Sequence, residues 1–157
     1  VLAVPVFVIW SAWGIGDTLS GVVLVYVAIN LPFTIWLLYG FIDQLPIELE
    51  EAAAIDGCGP FKVFYKIVLP LLKPGLAAAA IFTFRLAWNE FILAATFMDQ
   101  EAMYTAPVGL RFFVGGFSQQ WGYFAAGSII VSVPVVFLFL FLQKYLVSGL
   151  TAGGVKG

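Results

Sequence analysis

The stretch LSGVVLVYVAINLPFTIWLLYGFI, Leu19–Ile42, runs for 24 residues without a charged side chain. About twenty consecutive apolar residues carry a helix across a hydrocarbon core of roughly 30 Å. In lipid, a lone segment satisfies its own backbone donors and acceptors only as a helix. Leu19–Ile42 therefore reads as a membrane span, with Pro32 as a kink that neighbouring groups can compensate. The whole chain agrees: 62% of its residues are apolar and only 10% charged, against roughly 25% charged in soluble domains. The expected fold class is all-α and integral to the membrane.

Outward from that span, two further windows are long and apolar enough to cross: residues 74–98, which hold Arg85 and Glu90, and residues 123–146, which are free of charge as far as Leu142 and contain Pro134. Residues 1–13 are apolar from Val1 onward, with neither a basic start nor a small-residue cleavage site. They read as the end of a span whose beginning lies upstream. Orientation follows from lysine and arginine. Residues 43–73 carry Lys62, Lys66 and Lys73, and the tail carries Lys144 and Lys156; the turn at 14–20 has none and the loop at 99–122 has only Arg111. This places 43–73 and the tail at 147–157 in the cytoplasm and 99–122 outside, in a multi-pass arrangement with a cytoplasmic C-terminus. Trp121, Tyr123 and Tyr145 sit where interfacial anchors belong. The lone cysteine, Cys58, and the absence of histidine exclude an intrachain disulfide and any histidine-built metal site or triad. No basic patch suited to nucleic acid is present.

The connection at 43–73 contains PIELEEAAAIDGCGPFKVFYKIVLP, residues 46–70. Pro46 suits the start of a helix, and Glu48, Glu50 and Glu51 lie where the positive end of its dipole favours carboxylates. Ala52, Ala53 and Ala54 are strong helix formers with almost no side chain, so another protein surface can approach the backbone closely. Gly57 is placed to end the helix in the left-handed conformation. Gly59-Pro60 opens a second helix, on which Phe61, Phe64, Tyr65 and Val68 fall at i, i+3, i+4 and i+7, and Pro70 is expected to break it. The result is a two-armed elbow. It could lie on lipid headgroups with no protein partner, although the negative inner leaflet would repel its acidic first arm.

The residues Glu51-Ala52-Ala53, then Gly57, Ile67 and Leu69-Pro70 resemble the EAA loop of ABC importer permeases at every signature position. Trp88-Asn89-Glu90-Phe91 and the ending GLTAGGVKG, residues 149–157, are similar to the carbohydrate branch of that family, in particular to the shorter maltose-type permease subunit. The resemblance implies the C-terminal portion of an ABC-type transmembrane domain over 1–157, a partial span plus three full spans and a coupling elbow, with N-terminal helices missing. It implies docking of an ATP-binding subunit dimer through Glu51, Ala52, Ala53, Asp56, Gly57, Phe61, Ile67 and Pro70. Glu51 would pair with a basic group of the ATPase, and the tail would reach toward it. Further implied partners are a second permease subunit and an extracytoplasmic solute-binding protein that delivers substrate to the loop at 99–122, in a bacterial or archaeal cytoplasmic membrane. No cofactor is expected on this chain, whose glycine-rich tail lacks the phosphate-loop pattern; ATP-Mg belongs on the partner ATPase.

Arg85 lies about twelve residues past Lys73, roughly 18 Å along a helix, where a charge is costly and faces protein or a water-filled path. Asn89 is one turn further, Glu90 and Trp88 adjoin it, and Asn30 sits mid-span in Leu19–Ile42. Asn30, Arg85, Trp88, Asn89 and Glu90 can therefore line a polar translocation path, with Trp88 free to stack on a sugar ring, or they can bond helices together. Ser128 and Ser132 fit helix packing. The function expected is a permease subunit of an ATP-driven, binding-protein-dependent sugar importer. Glycerol phosphate or a polyol is the alternative cargo, since Arg85 suits an anion. An ion-coupled secondary transporter would put Arg85 and Glu90 in its coupling site but leaves the elbow unexplained, and a membrane enzyme lacks paired carboxylates.

Overall fold

A computed structural model describes residues 3–115 and 119–153, with side chains described through Tyr145. The helices are α1 (Ala3–Ala12), α2 (Leu19–Ile42), α3 (Glu48–Ile55), α4 (Pro60–Leu71), α5 (Lys73–Trp88), α6 (Ile92–Phe97), α7 (Ala106–Arg111) and α8 (Trp121–Gly153). Helices α2 and α8 are long and apolar enough to cross a membrane, and α4 with α5 forms a third such stretch, bent by 68°. The chain divides into two units, one from Val1–Leu31 and Phe84–Leu138, the other from Pro32–Thr83 and Phe139–Gly157.

The window at 74–98 differs from the single span expected of it. Helix α5 stops at Trp88 after 16 residues, about 24 Å at roughly 1.5 Å per residue, short of the hydrocarbon thickness. Asn89, Glu90 and Phe91 leave the helix before α6 resumes for six residues. Hydropathy reads through this interruption because only Asn89 and Glu90 in it are polar. At the other end of the chain, α8 continues as helix to Gly153, beyond the expected boundary at 146; residues 154–157 of the tail lie outside the described residues.

In the first unit, Val22 and Val25 of α2 and Phe97 and Met98 at the end of α6 form a buried core, flanked by Val6, Trp10, Tyr26, Leu93, Met103 and Tyr104. Helix α2 starts cleanly because the Thr18 hydroxyl accepts the Gly21 N–H at 3.1 Å, an N-cap bond. One residue earlier, Asp17 holds a left-handed φ of 52°. Its backbone N–H donates to the Phe97 carbonyl at 3.1 Å, and its carboxylate accepts the Asp99 N–H at 2.9 Å, the Gln100 N–H at 3.2 Å and the Gln100 side-chain amide at 2.6 Å. The turn at 14–18 is thereby fastened to the end of α6. These donors, the Gln100 side chain foremost, hold the Asp17 carboxyl below its ordinary value of 3.8.

In the second unit, Ala53, Val63, Val68 and Leu72 are buried together, with Phe41, Leu45, Cys58 and Ile67 packed around them. The Thr34 and Thr83 hydroxyls meet at 3.0 Å between α2 and α5, and Phe33 packs edge-on to Phe82 at 6.2 Å. Gly75, Ala77, Ala78 and Ala79 give α5 a buried small-residue face, which lets helices approach closely in lipid. At Gly75 the approach is tightest: a β-carbon there would sit 2.6 Å from Cγ and 2.9 Å from Cβ of Phe41.

Two outcomes follow for the purified protein in detergent. Gly75→Ala should lower the thermal midpoint by the equivalent of about 1–3 kcal/mol of overpacking, whereas Gly40→Ala, at a helical position with nothing within 4 Å, should leave it unchanged or raise it. Equal midpoints for the two variants would rule out the close contact. For Asp17, the depressed folded-state pKa means that its stabilisation is present above the ordinary carboxylate value and is lost as pH falls through the lowered one. The difference in midpoint between wild type and Asp17→Ala should hold steady from about pH 7 to pH 5 and shrink only below about pH 4. A difference that grows on acidification would contradict the clamp.

Candidate functional site in the elbow and the interrupted span

The first arm of the elbow, α3, carries Glu48, Glu50 and Glu51 in its first turn and no basic residue in its last, an order that suits the helix dipole. It ends in a Schellman motif: the Cys58 N–H bonds the Ala53 carbonyl at 3.0 Å and the Gly57 N–H bonds the Ala54 carbonyl at 3.0 Å. Gly57 has φ 76°, the left-handed conformation expected of it and one that a β-carbon opposes. Cys58 packs on the cluster containing Ala53, supplying the apolar contact that accompanies this motif.

The second arm departs from a plain α-helix. Pro60 occupies its first turn after Gly59 in extended conformation, but Phe64–Val68 is a π-helical turn, with the Leu69 N–H reaching back to the Phe64 carbonyl. Pro70 follows directly: a proline ring collides with the carbonyl four residues back in a regular helix, and a wider turn avoids that collision. Pro70 therefore stays within α4 instead of breaking it, and the chain bends at Leu72 before α5. The register changes with it. The expected stripe of Phe61, Phe64, Tyr65 and Val68 does not form one buried face; Val63, Val68 and Leu72 are buried with Ala53, while Phe61, Phe64 and Tyr65 are exposed.

The eight residues expected to dock a partner accordingly separate. Glu51, Ala52, Asp56, Gly57, Phe61 and Pro70 are exposed. Ala53 is buried and Ile67 packs against the internal cluster, so the close approach expected of Ala53 toward another protein is made instead to the second arm of the same elbow. Ile55 at 86% and Phe61 at 82% are among the most exposed large apolar side chains. Between the arms lies an open groove of about 610 Å³, with Ile47, Ala54, Val63 and Phe64 in its walls and Glu50 and Glu51 also lining it.

The polar residues of the spans do not all share one lining. Arg85 and Asn89 are exposed one turn apart at the end of α5, with the Asn89 N–H on the Arg85 carbonyl at 3.1 Å. Trp88, expected to be free for a sugar ring, donates its indole N–H to the Val131 carbonyl of α8 at 3.1 Å and stacks on Phe84 at 5.2 Å. Asn30 is buried and donates to the Tyr26 carbonyl at 2.8 Å. Glu90 accepts the Tyr26 hydroxyl at 2.8 Å and the N–H groups of Leu93 and Ala94 at 2.8 and 3.0 Å. Asn30, Trp88 and Glu90 thus bond within the chain, and Tyr26 is the residue that brings Asn30 and Glu90 together. Sequence reading missed Tyr26, although a phenol four residues before Asn30 on the same helical face was a usable signal. It also missed Asp17, whose role depends on a partner more than eighty positions away. Ser128 and Ser132 each bond the carbonyl four residues back at 2.8 Å within α8.

Comparison with known proteins bears on this geometry. Residues 1–152 match the family described as binding-protein-dependent transport system inner membrane component. The trehalose transport system permease protein SugB of Mycobacterium tuberculosis is 40% identical over 99% of this chain and 58% of its own length. The sulfoquinovosyl glycerol transport system permease protein SmoH of Agrobacterium fabrum is 39% identical over 99% of this chain and 55% of its own. The maltodextrin transport system permease protein MalD of Streptococcus pneumoniae is 40% identical over 86% of this chain and 49% of its own. The chain thus spans about half the length of the curated relatives it matches. With all-helical architecture, membrane-length apolar helices and a family match across nearly its whole length, this chain is an integral membrane protein that belongs to the binding-protein-dependent transport system inner membrane component family.

Proposed function

We propose that this chain forms part of the permease subunit of an ATP-driven, binding-protein-dependent importer of sugars or oligosaccharides, and that its elbow is the mechanical contact with a separate ATPase. The observation that carries the reading is the elbow's division of labour. Its own core is closed by Ala53, Val63, Val68 and Leu72, yet Ile55 and Phe61 stand almost fully exposed beside Glu50, Glu51 and Asp56. Large apolar side chains exposed together mark an interaction site. Carboxylates beside them select a basic partner over an anionic lipid surface. The partner subunits, an ATP-binding dimer carrying ATP-Mg, hydrolyse the nucleotide, and this chain supplies no catalytic group. A second permease chain completes the translocation path, an extracytoplasmic binding protein presents the cargo, and the C-terminus and elbow face the cytoplasm of a prokaryotic inner membrane. The relatives named for trehalose and maltodextrin transport support a sugar cargo. The exposed guanidinium of Arg85, together with a relative named for sulfoquinovosyl glycerol transport, supports an anionic sugar or glycerol phosphate as the second reading. Arg85 and Asn89, the two exposed members of the polar set, are the candidates to meet either cargo.

In proteoliposomes containing the complete permease, its ATPase and its binding protein, Glu51→Lys should leave insertion intact and reduce substrate-stimulated ATP hydrolysis at least tenfold, with uptake of labelled trehalose or maltodextrin falling in parallel. Gly57→Pro should do the same, since φ 76° is closed to proline. Normal coupling in both variants would remove the elbow from the docking surface.

A further inference from the structure

Where a span is interrupted, the backbone groups freed by the break must find partners, because lipid offers none. At the start of α6 the N-cap residue is Phe91, which has no side-chain acceptor. Glu90, one position earlier, takes over: its two oxygens accept the Leu93 and Ala94 N–H groups. Capping alone needs no charge, and a neutral Ser, Thr or Asn at position 91 would serve. What the carboxylate adds is the hydrogen bond from the Tyr26 hydroxyl at 2.8 Å, across to α2. The apolar side of α6 points the same way, for Ala94 and Phe97 are 0% and 2% exposed and Phe97 is in one core with Val22 and Val25 of α2. On the other side of the break, the end of α5 has a different partner: Trp88 is bonded to Val131 of α8. Asn89, exposed, lies between these two sets of partners.

We propose that Glu90 is a positioning residue for transport: through Tyr26 it pins α6 to α2, so that these two helices move as one body. The proposal rests on the permease reading for its role in transport, but the pin itself is a property of this chain. It assigns the intramembrane carboxylate to the moving parts of the permease and away from cargo or ion binding.

The test uses the complete permease in lipid nanodiscs, alone and with its ATPase and binding protein. Spin labels are placed at Val23 of α2 and Ile92 of α6, both exposed. In wild type, one narrow label-to-label distance should persist in the permease alone, in the nucleotide-free complex and in the complex trapped with ATP and vanadate. Tyr26→Phe, which leaves both caps on α6 intact, should broaden or split that distance and reduce ATP hydrolysis stimulated by the binding protein at least fivefold. Glu90→Gln, which keeps one acceptor oxygen, should fall between the two. The inference is overturned if Tyr26→Phe retains both the narrow distance and the stimulated hydrolysis. It is equally overturned if the wild-type distance changes on trapping, or if both variants fail to assemble, which would make the contact one of folding alone. A wild-type complex that shows no ATP-driven uptake would defeat the permease reading, whereas the distance measured in the permease alone would still report on the pin.

Discussion

A chain this poor in charge lives in a solvent that makes no hydrogen bonds, and every polar group within the bilayer must be satisfied by the protein. Regular helix meets that demand through Leu19–Ile42 and most of Trp121–Gly153. The demand becomes visible where regular helix fails. At Asn89–Glu90–Phe91 the break frees N–H groups at the start of α6, and a carboxylate supplies two acceptors to them. Such a carboxylate in turn needs a donor of its own, and Tyr26 provides it. A buried Asn30 then takes the Tyr26 carbonyl. One interruption thus accounts for the Tyr26–Glu90 bond and for both caps on α6.

The elbow obeys the opposite constraint. In the proposed arrangement it lies outside the bilayer, where backbone groups can reach water and the limiting resource is apolar burial. With eight residues in α3 and twelve in α4, the elbow is too small to bury all of its large side chains. It closes a minimal core around Ala53, where a single methyl lets the two arms touch. What is left over, Ile55, Phe61 and Tyr65, is exposed in quantity.

How much of this was legible in the sequence depended on the range of the interaction. The span at Leu19–Ile42 was legible because hydropathy averages over the whole segment, and Gly57 because a left-handed cap is decided within six residues. The elbow's stripe was misread because a spacing of three and four assumes 3.6 residues per turn, and the turn before Pro70 is wider. The interruption within 74–98 was not legible because the cap on the helix after it comes from a side chain outside that helix. Of the five polar residues grouped as one path, three bond inward to Tyr26, to Val131 or to the backbone of α6. Their partners are distant in sequence, and nothing local announces whether a polar side chain in a span faces water or another helix. The Asp17 clamp failed to register for the same reason.

The corner between the elbow and α5 is held by packing and by hydrogen bonds. A bend at a flexible residue would dissipate a push in local rotation. Here the bend of 68° falls at Leu72, whose side chain is buried in the elbow's core and whose N–H is bonded to the Val68 carbonyl at 2.9 Å. Directly beyond it, the Leu76 N–H is bonded to the Leu72 carbonyl at 2.8 Å, so the hydrogen-bond ladder continues through the corner. Gly75 then seats α5 against Phe41, and Phe41 itself packs on the same core. The corner is therefore braced on both sides, by Leu72 in the elbow's core and by the seating of Gly75 against Phe41.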